Sequence, residues 1–239
     1  MLADAANGTP LAVIDSGSVT ALRTGAATAV AAKFLARAGA RTATIVGCGV
    51  QGEIQLAAIS AVLPLRRILL LDIDHPRAEG LAARAGGRHG LSVEATKDLR
   101  AALRESDVCV TCTTARRAFL ERGDVAPGTF IAAVGADNPE KQELEPALLA
   151  SATLVVDVLH QCAEIGELHH ALAAGLVTRE HVHAELGDIV AGRRPGRTRE
   201  DETTIFDSSG TALQDVAAAV AVYEKAQATR RGTSVSLGG

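Results

Sequence analysis

Short apolar runs alternate with longer helix-like segments along most of the chain. Runs of aliphatic and β-branched residues predict strands at 43–46, 67–73, 91–95, 107–112, 129–134 and 153–158. Segments with the length and Ala, Leu and Glu content of helices lie between them, at 51–62, 77–86, 97–105 and 143–150. Because strand–helix alternation requires crossover connections, the pattern predicts an α/β fold with a doubly wound, mostly parallel sheet.

Two flanking regions do not follow this alternation. Near the beginning, residues 11–15 predict a strand and residues 24–38 an Ala-rich helix. Near the end, a short strand at 203–206 precedes a helix at 210–228. The segment 192–202 is charged and contains Gly and Pro, which predicts an exposed loop.

The composition argues against several classes of protein. Hydrophobic residues make up 47% of the 239 positions, which predicts a packed core rather than disorder. A formal net charge of −4 offers no basic surface for nucleic acid. The sequence contains no apolar run long enough to span a bilayer and does not begin like a secretory signal. We therefore expect a cytoplasmic protein with neither nucleic-acid nor membrane partners.

A GxGxxG sequence lies between an apolar strand and a helix, in TATIVGCGVQGEIQLAAI. Gly47 permits a tight turn, Gly49 lets the backbone approach a pyrophosphate, and Gly52 lets the helix pack closely on the strand. The amides and dipole at the helix N-terminus attract the diphosphate, so Val50 and Gln51 belong to the predicted site. The context predicts a Rossmann-type dinucleotide-binding domain rather than an ordinary glycine turn.

A carboxylate follows the second of these strands, twenty positions after Gly52. Asp72 can accept hydrogen bonds from the adenosine ribose hydroxyls and repel a 2′-phosphate, which favours NAD over NADP. Asp74 is an alternative for this role, and Arg77 could instead serve a 2′-phosphate. The predicted cofactor is NAD, with NADP less favoured.

Three separated stretches resemble the ornithine cyclodeaminase/mu-crystallin family, which includes some alanine dehydrogenases and ketimine reductases. They are ALRTGAATAVAAKFLARAGARTATIVGCGVQG (21–52), VGADNPEKQEL (134–144) and IFDSSGTALQDVAAAVAVYEKA (205–226). The resemblance extends from about Leu11 to the end of the chain. It implies an NAD-dependent enzyme that moves a hydride between an amino-acid Cα, or its imine, and the nicotinamide.

The resemblance implies roles for the residues of its first and last stretches. Arg23 would contact the substrate carboxylate, and Thr24 would lie near the cofactor phosphates. Thr24 is equally suited to be a helix N-cap. Ser209 and Gly210 would lie along the nicotinamide, and Thr113, which follows a predicted strand, is included among the cofactor contacts.

The middle stretch carries the predicted catalytic pair. Asp137 follows the strand at 129–134, near the carboxyl edge of the sheet, where open α/β folds bind ligands. The resemblance makes Asp137 the acid/base for the substrate nitrogen or for a water that attacks the imine. Lys141 would orient Asp137 or touch the substrate or cofactor. A turn residue before Asn138-Pro139 is the alternative reading of Asp137, and the chain has Glu140 where the family usually has Gly.

The resemblance also implies a domain organisation. Residues 1–24 would be a remnant of the substrate and dimerisation domain, 25–205 the NAD-binding domain with its lead-in helix, and 206–239 a C-terminal helix returning toward the substrate domain. Family members begin with a segment upstream of the position where this chain starts, and that segment carries most of the substrate domain. We therefore expect NAD binding without turnover by the chain alone, and regard the family's homodimer as doubtful for it.

Three activities and one binding role follow from the resemblance. An ornithine cyclodeaminase-like reaction is the first, with an alanine dehydrogenase or a ketimine reductase as alternatives. A non-catalytic, NAD(P)-binding protein like mu-crystallin is the alternative from a different class. In every case the ligand would be a small amino acid or imine together with the dinucleotide.

Motifs that suggest metal or thiol chemistry are interpreted as structural. Cys109 and Cys112 have CxxC spacing, but inside a strand their side chains point to opposite faces of the sheet. Cys48 is interpreted as a small filler between two glycines. Histidines at 169–170 and 181–183 lack a converging third cluster and are interpreted as surface residues of helices. No metal site is predicted.

Overall fold

The structure, a computed structural model, describes residues 1–87 and 90–235. Its strands are β1 (Leu2–Ala3), β2 (Pro10–Ala12), β3 (Thr42–Val46), β4 (Arg67–Leu71), β5 (Ser92–Ala95), β6 (Val108–Thr111), β7 (Arg116–Leu120), β8 (Phe130–Ala133), β9 (Gln142–Leu144), β10 (Thr153–Val156), β11 (Val182–Glu185) and β12 (Thr204–Asp207). Its helices are α1 (Ser16–Leu35), α2 (Val50–Val62), α3 (His75–Ala85), α4 (Leu99–Arg104), α5 (Pro146–Ala150), α6 (Leu159–Ile165), α7 (Glu167–Ala173), α8 (Leu186–Val190) and α9 (Ala212–Thr229).

An eight-stranded sheet in the order β11-β10-β12-β8-β6-β3-β4-β5 organises the molecule. Every neighbouring pair of strands in it is parallel. After β3 the chain builds outward through β4 and β5, then returns to the other side of β3 to form β6. This change of direction is a topological switch point, where open α/β sheets form a ligand crevice outside the carboxyl ends of the strands.

The two faces of the sheet carry separate apolar cores. Ile45, Val110 and Phe206 belong to one core, which packs against residues of α1, α2 and α3. Cys109 and Ile131 belong to the other, which packs against residues of α4, α5 and α7. Because side chains alternate along a strand, a strand buried on both faces must be apolar at nearly every position. The prediction of a Rossmann-type, doubly wound sheet is confirmed.

The first long helix begins earlier than the apolar pattern predicts. α1 begins at Ser16, because the Asp15 side chain accepts hydrogen bonds from the amides of Gly17 and Ser18. It ends at Leu35 rather than at residue 38. The predicted domain boundary between residues 24 and 25 therefore falls inside one continuous helix.

The predicted helix at 143–150 is wrong over its first residues. Residues 142–144 form β9, which pairs in parallel with β7 at 116–120, a strand that the sequence pattern did not indicate. The helix begins only at Pro146, and Glu145 before it has an extended backbone. Proline suits the first turn of a helix and disfavours helical geometry in the residue before it, so this boundary was readable from the sequence.

Two further segments differ from the sequence pattern. Between 159 and 190, where the pattern gave no bounded element, the chain forms α6, α7, β11 and α8. The segment 192–202 is exposed at most positions, as predicted, yet Arg197 donates to the carbonyl of Leu35 at 2.7 Å and Glu202 is buried. The Arg197 contact attaches the charged segment to the end of α1.

Candidate functional site

The glycine loop joins β3 to α2 at the centre of the carboxyl edge. Gly47 has a φ of +102°, a backbone conformation that favours glycine, and a Cβ on Gly52 would lie 2.1 Å from the carbonyl oxygen of Gly47. A Cβ on Gly49 would have no heavy atom within 4 Å, so Gly49 faces open space. The backbone at Gly47 and Gly52 therefore requires glycine, and the approach of a pyrophosphate at Gly49 stays a prediction.

The helix that follows the loop begins with an exposed residue and with backbone amides that no side chain caps. Gly49 is the N-cap of α2 and provides no side-chain cap, so the first amides of the helix have no capping partner from it. Val50 is 75% exposed. Within the described residues, the buried Oε1 of Gln51 has no hydrogen-bond partner. Such a loop can hold a diphosphate on backbone amides.

Asp72 lies across the loop at the end of β4. Its carboxylate accepts hydrogen bonds from the amide of Cys48 at 2.7 Å and from the amide of Asp74 at 2.9 Å. Asp74 itself is ion-paired with Arg77, with 3.0 Å between the charged atoms. Asp72 is therefore held against the glycine loop, whereas Asp74 is paired with Arg77, whose side chain is 65% exposed.

A cleft of about 890 Å³ opens beside the glycine loop. Gly47, Gly49, Asp72 and Thr113 line it, and all four were predicted to contact the cofactor. The sequence analysis did not find Ile73, which also lines the cleft and has a fully exposed side chain. An apolar residue directly after a strand-end acid was the available signal for it.

Thr113 lines this cleft and is hydrogen-bonded to a buried carboxylate behind it. Its backbone amide and its hydroxyl each donate to Oε1 of Glu143 at 2.7 Å. Glu143 is fully buried and was not predicted to matter. Burial raises the pKa of the Glu143 carboxyl, while its hydrogen bonds with Thr111, Thr113 and Gly135 act in the opposite direction.

The structure brings Arg23 and Gly210, 187 positions apart, into contact. Gly210 has a φ of +77°, and a Cβ on it would lie 2.4 Å from Nη1 of Arg23. The Arg23 side chain, 15% exposed, is paired with Asp215 at 3.0 Å and donates to Gln214 at 3.3 Å. A predicted substrate residue thus lies against a predicted nicotinamide residue, although the sequence placed Arg23 before a helix rather than within α1.

Asp157 at the end of β10 holds the Ser209–Gly210 segment. Its carboxylate accepts from the hydroxyl of Ser209 at 2.9 Å and from the amide of Gly210 at 2.6 Å. Asp157 is buried and was not among the predicted site residues. An acid at the end of an apolar strand was again the signal that could have found it.

Asp137 and Lys141 form the predicted pair at the carboxyl edge. Nζ of Lys141 lies 2.8 Å from Oδ1 of Asp137, whose side chain is 61% exposed. Asn138 donates to the same oxygen at 3.0 Å. Glu140, the departure from the family pattern, is paired with Arg116 at 3.1 Å. The substitution of Gly by Glu at 140 is therefore compatible with the Asp137–Lys141 pair.

Thr24 occupies a different place from the one expected on capping grounds. It lies in the middle of α1, and its hydroxyl donates to the carbonyl of Thr20 at 2.8 Å. The N-cap interpretation is wrong, because Asp15 caps this helix. The proposed contact of Thr24 with the cofactor phosphates stays a prediction.

The cysteines behave as core residues. Cys109 belongs to the core on one face of the sheet, and Cys112 packs against the core on the other face. Burial raises the pKa of the Cys48 thiol to about 12, which disfavours a reactive thiolate. The interpretation of the CxxC spacing as structural is confirmed by this geometry.

Several residues of the histidine clusters are not on solvated helix surfaces. Glu167, two residues before the first of these histidines, is buried, and the ring of His170 is hydrogen-bonded to the carbonyl of Lys141 at 2.8 Å. His181 lies in a 3₁₀ turn and His183 in β11. Among the residues that the structure describes, no three His, Cys, Asp or Glu side chains are placed to hold a metal ion.

No helix within 1–87 and 90–235 combines the length and the apolar character needed to cross a bilayer.

Comparisons by sequence and by structure find relatives with related enzymatic activities. By sequence, the chain is 39% identical to an alanine dehydrogenase of Archaeoglobus fulgidus over 230 residues, which cover 96% of this chain and 70% of the relative. By structure, it matches the Δ1-pyrroline-2-carboxylate reductase of Thermococcus litoralis in complex with NADH and L-proline, with a TM-score of 0.94 and 35% identity. That match covers 98% of this chain and 72% of the reductase.

Two further solved structures extend the range of activities. An archaeal alanine dehydrogenase dimer with bound NAD matches with a TM-score of 0.93 and 38% identity, over 98% of this chain and 72% of that one. A lysine cyclodeaminase that recognises L-lysine, L-ornithine and L-2,4-diaminobutyric acid matches with a TM-score of 0.81 and 35% identity, over 95% and 64% of the two chains. The nucleotide named in the reductase and dehydrogenase structures is the one that the sequence predicted.

The sequence profile of the ornithine cyclodeaminase/mu-crystallin family matches residues 1–230, which is nearly the whole chain. The glycine loop, the Asp137–Lys141 pair and the Arg23–Gly210 contact all lie within that range. This chain belongs to the ornithine cyclodeaminase/mu-crystallin family.

Proposed function

We propose that this protein binds NAD and catalyses hydride transfer between the nicotinamide and the Cα of a small amino acid or its imine. The observation that carries the proposal is the Asp137–Lys141 pair, which lies at the same sheet edge as the glycine-loop cleft. Catalytic carboxylates of open α/β folds occupy this edge. The relatives named above include enzymes of this chemistry.

The cleft supports NAD as the cofactor. Gly49 leaves open space for a diphosphate and provides no side-chain cap for the first amides of α2, which can donate to such a group. Asp72 keeps the lone pairs that its two amide contacts do not use, and these can accept from ribose hydroxyls. When bound, NAD accepts or supplies the hydride, and the protein supplies position and charge.

Arg23 supports a substrate with a carboxylate. A guanidinium has five N–H donors, and the contacts with Asp215 and Gln214 use two of them. The remaining donors can bind a carboxylate in the planar geometry that arginine favours. Because Gly210 lies against Arg23, a carboxylate bound there would be next to the proposed nicotinamide segment.

Asp137 supplies the acid–base chemistry in this proposal. In the reductive direction the imine carbon gains a hydride and the nitrogen gains a proton, and the oxidative direction reverses both steps. A carboxylate beside an ammonium, 2.8 Å apart, can take up and return that proton. Reduction of an imine, oxidation of alanine and cyclisation of ornithine all require this exchange, so the pair itself does not select one of them.

In a form of the protein that turns over a substrate, we expect the Asp137→Asn variant to lose turnover about 10²–10⁴-fold, because the amide keeps the shape but cannot exchange the proton. Its affinity for NADH should stay within about twofold, since Asp137 lies outside the glycine loop. Turnover of Δ1-pyrroline-2-carboxylate, of pyruvate plus ammonia and of L-alanine would be followed by NADH absorbance. Cyclisation of ornithine is redox-neutral, so it would be followed by product analysis.

The matched control is Glu140→Gln, which neutralises an exposed carboxylate three residues away and should leave turnover within about twofold. Turnover of Asp137→Asn close to that of the wild type would remove Asp137 from the mechanism. Saturable NADH binding with no turnover of any substrate by the wild type would be the result expected above for the chain alone, and turnover that is also absent from a form with the complete substrate domain would support the non-catalytic, mu-crystallin-like role.

A further inference from the structure

Glu143 lies buried at the point where two loops of the proposed site meet. Its Oε1 accepts from the amide and the hydroxyl of Thr113, both at 2.7 Å. Its Oε2 accepts from the hydroxyl of Thr111 at 2.7 Å and from the amide of Gly135 at 3.0 Å. Thr113 lies in the loop of the cofactor cleft, and Gly135 precedes Asp137 by two residues. One carboxylate therefore holds both loops.

The loop of Asp137 is seated directly on this carboxylate. A Cβ on Gly135 would lie 2.5 Å from both carboxylate oxygens of Glu143, which is closer than any side chain permits. The backbone at 135 can approach this closely only because glycine has no side chain. The position of Asp137 thus depends on a glycine that fits against a buried acid.

The groups around Glu143 require each of its carboxylate oxygens to accept hydrogen bonds. Each oxygen faces one backbone amide, which can only donate, and one threonine hydroxyl, which can donate or accept. A second buried acid continues the arrangement, since the amide of Glu143 donates to Glu167 at 2.7 Å. The site is thereby connected to α7 behind it.

We propose that Glu143 is a positioning residue, which sets the Asp137 loop against the Thr113 loop through these four hydrogen bonds. The role rests on the proposed function, because it serves the cofactor and the acid/base carboxylate of that function. Glu143 acts through two backbone amides and two threonine hydroxyls, and it is not among the residues that line the cofactor cleft. Its contribution is to keep the two loops in the conformation that binds the cofactor and presents Asp137.

Glutamine at this position distinguishes positioning from simple packing. Glu143→Gln keeps the shape, yet it replaces one acceptor oxygen by an NH₂ group. If that group takes the place of Oε1 it faces the amide of Thr113, and if it takes the place of Oε2 it faces the amide of Gly135. A threonine hydroxyl can rotate to accept, but a backbone N–H cannot. Either orientation therefore releases one of the two loops.

The matched control lies at the other end of β6, the strand that carries Thr111. Asp107, just before β6, accepts from the amides of Arg41 at 2.7 Å and Thr42 at 3.0 Å. Asp107→Asn also places an NH₂ group near backbone donors, but it does so at the amino edge of the sheet. A general loss of stability should affect both variants, whereas a loss of positioning should affect only Glu143→Gln.

We expect Glu143→Gln to raise the dissociation constant for NADH about tenfold, because a smaller fraction of molecules holds the binding conformation. Asp107→Asn should leave it within about twofold. NADH fluorescence gives the affinity, and thermal unfolding gives the stability of each variant. An increase in the dissociation constant no larger than that of Asp107→Asn would overturn the proposal.

Hydrogen–deuterium exchange of the two loops provides a readout that needs neither cofactor nor substrate. In Glu143→Gln the amides of residues 111–116 and 133–138 should exchange faster, and those of residues 41–45 should not. Unchanged protection in both loops overturns the positioning role. If the wild type binds no NADH but the loops exchange as expected, the cofactor assignment fails while the role of Glu143 in holding the loops stands.

A milder variant keeps the test decisive if Glu143→Gln does not fold. Thr111→Val removes one hydroxyl donor to Oε2 and leaves both backbone donors in place, with a side chain of nearly the same shape. We expect it to raise the NADH dissociation constant about threefold, in the same direction as the glutamine variant. An affinity equal to that of the wild type would contradict the proposal.

Discussion

At the scale of single residues, the carboxylates at the ends of the strands define the candidate site. Asp72, Asp137 and Asp157 each follow an apolar strand. Asp72 and Asp157 accept hydrogen bonds from residues of another loop, and Asp137 is ion-paired with Lys141 at the sheet edge. Two of the three interact with backbone amides, which can only donate hydrogen bonds. An asparagine side chain at such a position would therefore not substitute for the aspartate.

Asp72 should decide the choice of cofactor. We expect Asp72→Ala to weaken NAD binding about tenfold or more, because hydrogen bonds between a charged group and the ribose are lost. NADP binding should change less, since repulsion of its 2′-phosphate is removed as well. Calorimetric titration with both nucleotides measures the ratio.

Asp74→Ala is the control for this comparison, because Asp74 is paired with Arg77 instead of the glycine loop. A wild-type preference for NADP would show that Asp72 does not select the nucleotide. A larger loss of NAD affinity in Asp74→Ala than in Asp72→Ala would assign the ribose contact to Asp74.

At the scale of elements, buried acids join the strands to the helices behind the site. Glu167 accepts from the amides of Glu143 and Leu144, and Asp207 at the end of β12 accepts from the amides of Glu167 at 3.1 Å and Leu168 at 2.9 Å. The amides at the start of α7 are capped by Asp207, so that this short helix is held against the sheet. A Cβ on Gly166 would lie 2.6 Å from the Asp207 carboxylate, so the approach requires glycine.

The stability that the contact between Asp207 and α7 contributes should depend on pH. Burial raises the pKa of Asp207 to about 7. Its two amide donors lower this pKa, and the charge of nearby Asp157 raises it further. The unfolded value is about 3.9. Since the folded value is higher, the protonated acid contributes stability that is complete below about pH 4 and is lost as the pH rises through about 7.

We expect Asp207→Asn, which cannot ionise, to lower the melting temperature more at pH 5 than at pH 8. Thermal unfolding of the two proteins at a series of pH values measures this difference. Asp107→Asn is the control, because the amides of Arg41 and Thr42 and the Arg37 guanidinium outweigh burial and hold the pKa of Asp107 below its usual value. Equal losses for Asp207→Asn at both pH values would contradict the account.

At the scale of the whole molecule, α9 presents apolar residues to solvent. Leu213, Val216 and Val220 are 79%, 51% and 37% exposed and lie at helical spacing. The helix contacts α1 and β1, and none of its residues is buried. An apolar surface of this kind favours association between protein molecules.

We expect the chain to self-associate and the double variant Leu213→Glu, Val216→Glu to shift it toward the monomer. Two charges placed on the same face of α9 must be desolvated in any contact that buries them. Sedimentation velocity at several protein concentrations measures the distribution of species. Lys225→Glu, an exposed change of charge on the same helix, is the control, and an unchanged distribution in the double variant would show that association does not involve this face.

Local sequence determined the parallel sheet and the cofactor loop of this protein. Strands buried on both faces must be apolar throughout, and a diphosphate loop needs glycines at fixed spacing between a strand and a helix, so both features are visible in short stretches of chain. The resemblance to the family assigned chemical roles to Arg23 and Asp137, because a charge before a helix and a carboxylate after a strand do not by themselves specify substrate binding or proton transfer. Asp15 and Pro146 also carried local signals, and they set helix boundaries that the apolar pattern missed.

Only the tertiary structure decided what the buried acids do. Glu143 reads as a residue of a helix, because Glu, Leu and Ala around it are good helix formers, yet pairing with β7 makes it part of a strand. Its four donors come from residues 8 to 32 positions away along the chain. The contact between Arg23 and Gly210 likewise joins the two ends of the chain. Such contacts depend on the order of strands in the sheet, and no spacing within a single segment encodes that order.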